Sequence, residues 1–391
     1  MSSPPVPSHG PAPLHAVQVL GGGSARTGAH VRALAAGLVA RGLRVTVCAP
    51  HSTEPHHGFT GVGAHFAPVS GRTEPEAVVA LRAACADADV VHAHGLWAGA
   101  LAALALRGWR RRVPLVVTWH TRAQAAGARA RLVRLLERRV VRAARVVLGT
   151  TSDLVDRARR HGARDARLAP AAVPVPYRDR DGALLFAGGS GSPGDPDDPG
   201  RPADEREKTR AELGVTGRPL ILAVGRLAPH QGHTALLTAS RLWRRLDPPP
   251  LLAVAGEGPA RSALQRRIDT EGLPVRLLGR RDDALELLTA ADVAVLPARW
   301  EGRATVAQEA LRRGVPLVAT AVGGLPELAG DAALLVPYGD ADALAGAVTG
   351  LLGDPVRRRE LAAAGRAQAA TWPSEDDTVA QVLSVYDELT A

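Results

Sequence analysis

Apolar residues fall along this chain in short blocks separated by stretches of helical periodicity. Residues 17–20 (Val-Gln-Val-Leu) and 44–48 (Arg-Val-Thr-Val-Cys) read as buried strands. Between them apolar positions recur at helical spacing over 31–39, until Arg41-Gly42 closes the helix. The alternation continues through strands at 89–92, 115–119 and 146–148, with helices over 98–105 and 128–142. A second series of strands follows at 220–224, 251–255, 275–278, 293–296, 317–320 and 334–336, again with helical segments between them. Near-continuous apolar strands alternating with helices predict parallel sheets covered on both faces, so two such series predict two doubly wound α/β domains. Ligands of these sheets sit beyond the carboxyl ends of the strands, which makes those ends the places to look for chemistry.

The pattern breaks where the composition changes. Residues 186–204 are almost all Gly, Pro, Ser and Asp, too poor in apolar surface to offset the entropy of ordering, and predict a flexible linker or insertion. The expected organisation is a disordered tail (1–15), a first domain (16–185), a linker (186–207), a second domain (208–373) and a closing helical segment (374–391).

Composition narrows the partners. The apolar fraction of 46% with only 3% aromatics leaves Ala, Val and Leu to build the cores. A net charge of +9 invites a polyanionic partner. The arginines, however, are scattered through helix-like stretches, and the aromatic side chains that stack on bases are scarce, which argues against nucleic acid. Weak peripheral contact with acidic lipid head groups is the membrane expectation that the charge leaves open. Cys48 and Cys85 lie in apolar stretches and predict buried free thiols in a reducing compartment. With no basic-flanked apolar leader and no apolar run of about 20 residues, the expected location is cytoplasmic, at most peripheral at the inner face of a membrane.

The densest chemical signal is 299–310, Arg-Trp-Glu-Gly-Arg-Ala-Thr-Val-Ala-Gln-Glu-Ala, which follows the strand at 293–296 and opens a helix. Backbone N–H groups near Ala304, Thr305 and Val306 form a helix start that favours a phosphate. Glu301 before it and Glu309 within it could accept hydrogen bonds from sugar or ribose hydroxyls. Taken alone, the same pair is a helix cap and a solvated helix residue. Arg226, at a strand end, could fork onto a phosphate or simply face water. His92 and His94 share one face of their strand, with structural and direct roles both open, and His120 follows the next strand. His51, His56 and His57 make no metal pattern. The glycines of 21–28 lack the dinucleotide fingerprint. Asp195-Pro196-Asp197 sits in the linker and not at a strand end, the wrong setting for a metal-binding aspartate motif.

The segment 299–310, with 314–320 and 323–328 after it, resembles the E-x7-E region of the family-4 retaining glycosyltransferases. Residues 224–232 look like that family's strand and loop beneath the donor diphosphate, 255–259 like its next strand end, and 278–281 like the segment whose backbone contacts the nucleobase. The resemblance runs from Val19 to the last helix. It implies a GT-B fold, two Rossmann-like domains facing a central cleft, with the closing helix crossing back to the first domain. It also implies retaining transfer of a sugar from a UDP-, GDP- or ADP-sugar to an acceptor hydroxyl, by same-face substitution and with no metal or other cofactor. Carried over by position, Arg226 would pair with the diphosphate, Glu301 with sugar hydroxyls and Glu309 with the ribose. Arg281 would lie beside the donor, and His120 would face the reacting sugar. Gly28 would belong to the glycine-rich loop that approaches donor and acceptor. The chain departs from the family twice. Gln231 stands where a lysine is usual, so a neutral amide replaces a phosphate-binding cation, with Arg281, Arg299 and Arg303 as substitutes. Arg26-Thr27-Gly28 also alters the glycine-rich loop. These departures leave a non-catalytic nucleotide-sugar-binding or scaffold protein as an alternative, and a nucleotide-sugar epimerase is the rival enzyme of the same fold.

Overall fold

The computed structural model describes residues 13–22, 25–70, 74–108, 112–123, 127–172, 176–178, 184–186 and 202–391. The tail expected over 1–15 lies outside them up to residue 12, and His15 already opens the first strand. The Asp195-Pro196-Asp197 triplet and most of the expected linker also lie outside the described residues.

The chain folds as two units. In the first, strands β1 (His15–Leu20), β2 (Arg44–Ala49), β3 (His65–Pro68), β4 (Val90–His94), β5 (Leu115–Trp119), β6 (Val146–Gly149) and β7 (Ala166–Leu168) form one sheet in the order β3-β2-β1-β4-β5-β6-β7. All its pairings are parallel. Its helices are α1 (Ala25–Ala40), α2 (Glu54–His57), α3 (Pro75–Ala84), α4 (Leu96–Ala105), α5 (Gly127–Ala143) and α6 (Ser152–Arg160). A short antiparallel pair, β8 (Pro176–Arg178) and β9 (Leu184–Phe186), follows. The edge strand β3 escapes the sequence pattern because none of its four residues is buried, so it carries no apolar block.

The second unit opens with α7 (Pro202–Glu212). Its sheet runs β12-β11-β10-β13-β14-β15, all parallel, from β10 (Leu220–Val224), β11 (Leu251–Ala255), β12 (Val275–Gly279), β13 (Val293–Leu296), β14 (Leu317–Thr320) and β15 (Leu334–Val336). Around it lie α8 (His233–Trp243), α9 (Arg261–Glu271), α10 (Ala284–Ala290), α11 (Thr305–Arg312), α12 (Leu325–Ala329), α13 (Ala341–Gly353) and α14 (Pro355–Ala370). The cores of both units are mainly Ala, Val and Leu, with Trp243, Phe59 and Tyr386 among the few large side chains they enclose.

Helix α7 corrects the linker boundary, since residues 202–207 are helical. The segment looks too polar to order because it docks through charge. Arg206 Nη2 and Arg210 Nη1 donate to Asp292 at 2.8 and 3.1 Å, Asp292 also accepts the N–H of Leu220 at 2.8 Å, and Arg210 Nη2 donates to the carbonyl of Arg218 at 2.6 Å.

The last helix, α15 (Glu375–Thr390), belongs to the first unit. Ser374 and Asp377 form a reciprocal cap at its start. Its Val379 lies where a side chain at Gly37 of α1 would have to go, so the missing Cβ lets the two helices close up. Tyr386 is fully buried and accepts a 2.8 Å bond from the Gln18 amide of β1. Cys48 and Cys85 are buried free thiols. Among the described residues no helix is long and apolar enough to cross a membrane.

In each sheet one strand is flanked by the strands that lead away in opposite directions: β1 between β2 and β4, and β10 between β11 and β13. Loops leaving the carboxyl ends of such strands diverge and leave a crevice, the recurrent ligand position of doubly wound sheets.

Candidate functional site

The crevice of the second sheet is built by four strand ends. After β10 come Gly225 and Arg226, after β11 Gly256 and Glu257, after β12 Arg280 and Arg281, and after β13 the loop to Glu301. Backbone bonds tie the first three together: Gly225 N–H to the Ala255 carbonyl at 3.0 Å, Leu227 N–H to the Glu257 carbonyl at 2.9 Å, and Gly256 N–H to the Gly279 carbonyl at 2.7 Å. Gly256 has φ +149°, and a Cβ there would run into the carbonyl of Gly225, so the loops approach only because this residue lacks a side chain. Gly232, with φ +74°, plays the same part against the carbonyl of Pro297 and lets the turn before α8 touch the loop after β13.

A cavity of about 250 Å³ opens among Gly225, Arg226, Gly256, Glu257, Arg280 and Arg281. Three guanidinium groups against one carboxylate make it an anion site in charge, but the three differ. Arg281 is committed to Asp283, with Nε to Oδ1 at 2.7 Å, and that partner pulls the Asp283 carboxyl below its ordinary pKa. Arg280 Nε lies 3.7 Å from Asp282, with both side chains more than half exposed. Arg226 is exposed and makes no ion pair among the described residues, while its backbone carbonyl accepts a 3.2 Å bond from His233 Nε2. Arg226 is therefore the guanidinium best placed to exchange water for a phosphate at little cost.

Gln231 and Glu301 meet beside this cavity, the amide Nε2 3.5 Å from Oε1. The backbone of Glu301 is held from behind, its carbonyl accepting the N–H of Gly324 at 2.9 Å. The loop leading to it is pinned where Thr320 Oγ1 donates to the carbonyl of Ala298 at 2.6 Å. Helix α11 then starts at Thr305 with Ala304 as its N-cap residue and no side-chain cap bond. The first-turn N–H groups are thus those of Thr305, Val306 and Ala307. Glu309, one turn further, is 3% exposed, with Arg313 Nε 3.4 Å and Arg312 Nη1 3.8 Å from its oxygens. Its Oε1 is buried and accepts no hydrogen bond among the described residues, a group that calls for a donor.

The three arginines offered as substitutes for the missing cation separate clearly. Arg281 is held by Asp283. Arg303 is 8% exposed, lies over the Trp372 ring at 5.9 Å, and burial pushes its guanidinium down to about 10. Arg299 is exposed, and its N–H donates to the carbonyl of His230 at 2.9 Å, which puts residue 299 beside the turn that carries Gln231.

The structure brings Arg226 and Arg281 into one cavity, joins Gln231 to Glu301, and sets Ala304, Thr305, Val306 and Glu309 on one helix start. Two site residues lie in the first unit. His120 follows β5, half-buried, 3.3 Å from His94. Gly28 corrects the expected loop: helix begins at Ala25, and Gly28 is a buried position of its first turn, where a Cβ would strike the imidazole of His57. Its lack of a side chain serves that helix contact. Glu257 and Arg280 lay inside quoted motifs without being singled out, although charged residues directly after apolar strands were the signal that marked Arg226. His30 carried no such signal, since it sits inside a helix.

Two family descriptions match the chain: "Glycosyl transferase 4-like domain" over residues 27–174 and "Glycosyl transferases group 1" over 205–368. A GDP-mannose-dependent monoacylated alpha-(1-6)-phosphatidylinositol monomannoside mannosyltransferase of Corynebacterium glutamicum is 36% identical over 184 residues, 44% of this chain and 48% of that protein. A D-inositol 3-phosphate glycosyltransferase of Salinispora tropica is 32% identical over 329 residues, 78% of this chain and 64% of that one. The chain spans about half the length of the mannosyltransferase relatives it matches. Among solved structures, HepE of Anabaena in complex with UDP superposes with a TM-score of 0.75 at 18% identity, covering 96% of this chain and all of that one. Sucrose-phosphate synthase of Thermosynechococcus elongatus does so at 0.71 and 22%, covering 96% and 99%.

Proposed function

The chain belongs to the family-4 glycosyltransferases with the GT-B fold, and from that premise we propose that it transfers a sugar, with retention at the anomeric carbon, from a nucleoside-diphosphate sugar to an acceptor hydroxyl without a metal ion. The observation that carries this reading is the second-unit crevice, where an exposed arginine, Arg226, shares a cavity with Arg280 and Arg281 at the strand ends. The Glu301–Gln231 pair adjoins Gly225 of that cavity, and the start of α11 carries no side-chain cap. Fixed cations and helix N–H groups are what a departing diphosphate needs when no metal neutralises it.

In this mechanism Arg226 and the first-turn amides of α11 hold the diphosphate. Glu301 accepts from the sugar hydroxyls, and the Glu309 carboxylate accepts from the ribose. The bond between the anomeric carbon and the phosphate oxygen breaks, its electron pair leaving with the diphosphate. The acceptor oxygen then bonds to the anomeric carbon on the same face, and its proton passes to the leaving phosphate oxygen. His120 orients the reacting sugar. Arg299 supplies the charge that Gln231 does not.

GDP-mannose appears in the names of the mannosyltransferase relatives, while HepE was solved with UDP. The test therefore offers UDP-, GDP- and ADP-sugars with mixed polyol and inositol phosphate acceptors, and follows nucleoside diphosphate release and the anomeric configuration of the product by NMR. The expected result is release with one nucleotide, a retained anomer, and a rate at least about 100-fold lower in Glu301→Gln, the size of one lost transition-state contact. An inverted product, or equal rates in the two proteins, would refute the proposal.

A further inference from the structure

Three imidazoles converge in the first unit, at the crevice of its own sheet. His94 ends β4, His120 follows the neighbouring β5, and His30 comes from α1. Ring centroids lie 5.7 Å apart for His30 and His94, 4.9 Å for His30 and His120, and 5.5 Å for His94 and His120. One ligand nitrogen from each is within 4.8 Å of the other two. His94 Nδ1 and His120 Nε2 are 3.3 Å apart, long for a hydrogen bond. It is close to the edge, about 3.3–3.4 Å, of a tetrahedron with metal–nitrogen bonds of about 2.0–2.1 Å.

A buried chain of polar groups sets which nitrogen of His94 is bare. Gln18 Nε2 donates to the Tyr386 hydroxyl at 2.8 Å, that hydroxyl is hydrogen-bonded to His92 Nδ1 at 2.7 Å, and His92 Nε2 is hydrogen-bonded to Thr118 Oγ1 at 2.6 Å. The Gln18 amide is thereby turned so that its Oε1 faces His94 Nε2 at 2.9 Å and must accept a proton from it. His94 Nδ1 is left with its lone pair toward His120 Nε2. An outer residue that holds an imidazole in one tautomer is the usual support of a metal ligand. Burial keeps the rings neutral, with His30 pushed down to about 4 and His94 and His120 held well below the ordinary histidine range. Neutral imidazole is the form that binds a metal. The charge of Arg26 also acts on His120 and opposes a cation there, a cost that three imidazole ligands must outweigh.

We propose that His30, His94 and His120 form a binding site for a divalent transition-metal ion, zinc foremost, with three protein nitrogens and a fourth position left for water. Three imidazoles and no carboxylate or thiolate suit zinc better than magnesium or calcium. A bound ion would engage His120 and take it from the sugar, so zinc would inhibit transfer. That consequence rests on the proposed function, whereas the binding does not.

The test titrates metal-stripped protein with zinc chloride by calorimetry and with cobalt chloride by visible absorption. The expected outcome is one ion per chain and a cobalt spectrum of tetrahedral intensity. Affinity should fall about 100-fold or more in His30→Ala and in His94→Ala, and about 10–100-fold in Gln18→Leu. Metal-free melting midpoints establish that each variant is folded, and His30→Ala, on the helix, serves if a strand variant is not. No saturable one-to-one binding, or binding that survives both histidine substitutions, overturns the proposal.

Discussion

At Gln231 a neutral amide stands 3.5 Å from Glu301 Oε1 where the family resemblance leads one to expect a lysine. An exposed cation tied to the same turn is Arg299, through its N–H to His230. If Arg299 supplies the charge, Arg299→Ala should weaken nucleoside diphosphate binding by about 10-fold or more, the worth of one charge-assisted bond. Gln231→Lys should recover most of that loss in the double variant. Additive effects in calorimetric titrations of the four proteins would show that the two positions do not share a task. Glu309 was legible in the sequence only as half of a spacing. Its burial and the missing hydrogen-bond donor at its Oε1 could not be read there, because both depend on how α11 packs into the sheet.

The elements that apolar periodicity could predict were those buried on a sheet. All six strands of the second unit stand where the pattern placed them, because each is a near-continuous apolar run. Helix α7 escaped because its anchoring is ionic, through Arg206 and Arg210 on Asp292, and a charged helix has the composition of a linker. Asp292→Ala removes the acceptor for two guanidiniums and for the N–H of Leu220 at once. The expected loss is about 3 kcal/mol of stability in the second unit by urea unfolding. A loss below about 1 kcal/mol would mean that α7 is held by its apolar contacts instead. The first-turn helix position of Gly28 was equally hidden, since the reason for that glycine is His57, 29 residues further along the chain.

Across the whole molecule, histidines desolvated by the fold set the pH response. Desolvation lowers His30 to about 4 and His92 to about 3, and lowers His94 and His120 as well. Below pH 6.5 the unfolded chain takes up protons that these folded-state rings refuse, so stability falls as the pH drops. For His30 the window runs from 6.5 to about 4. The slope is about 1.4 kcal/mol per pH unit for each such histidine. Melting midpoints should therefore decline steeply between pH 7 and 5, and a flat profile would mean the rings are hydrated. The fold was legible as two α/β series because hydrophobic pattern alone specifies it. The charge balance of the donor crevice was not, since it depends on which arginines already hold a carboxylate. The central claim is that this crevice binds a nucleoside diphosphate through Arg226. Titrating UDP, GDP and ADP into the intact chain and into Arg226→Ala tests it most directly. One of the three should bind one-to-one, with affinity about 10–150-fold lower in the variant, equivalent to about 1.4–3 kcal/mol. Binding of none, or equal binding by both proteins, would contradict it.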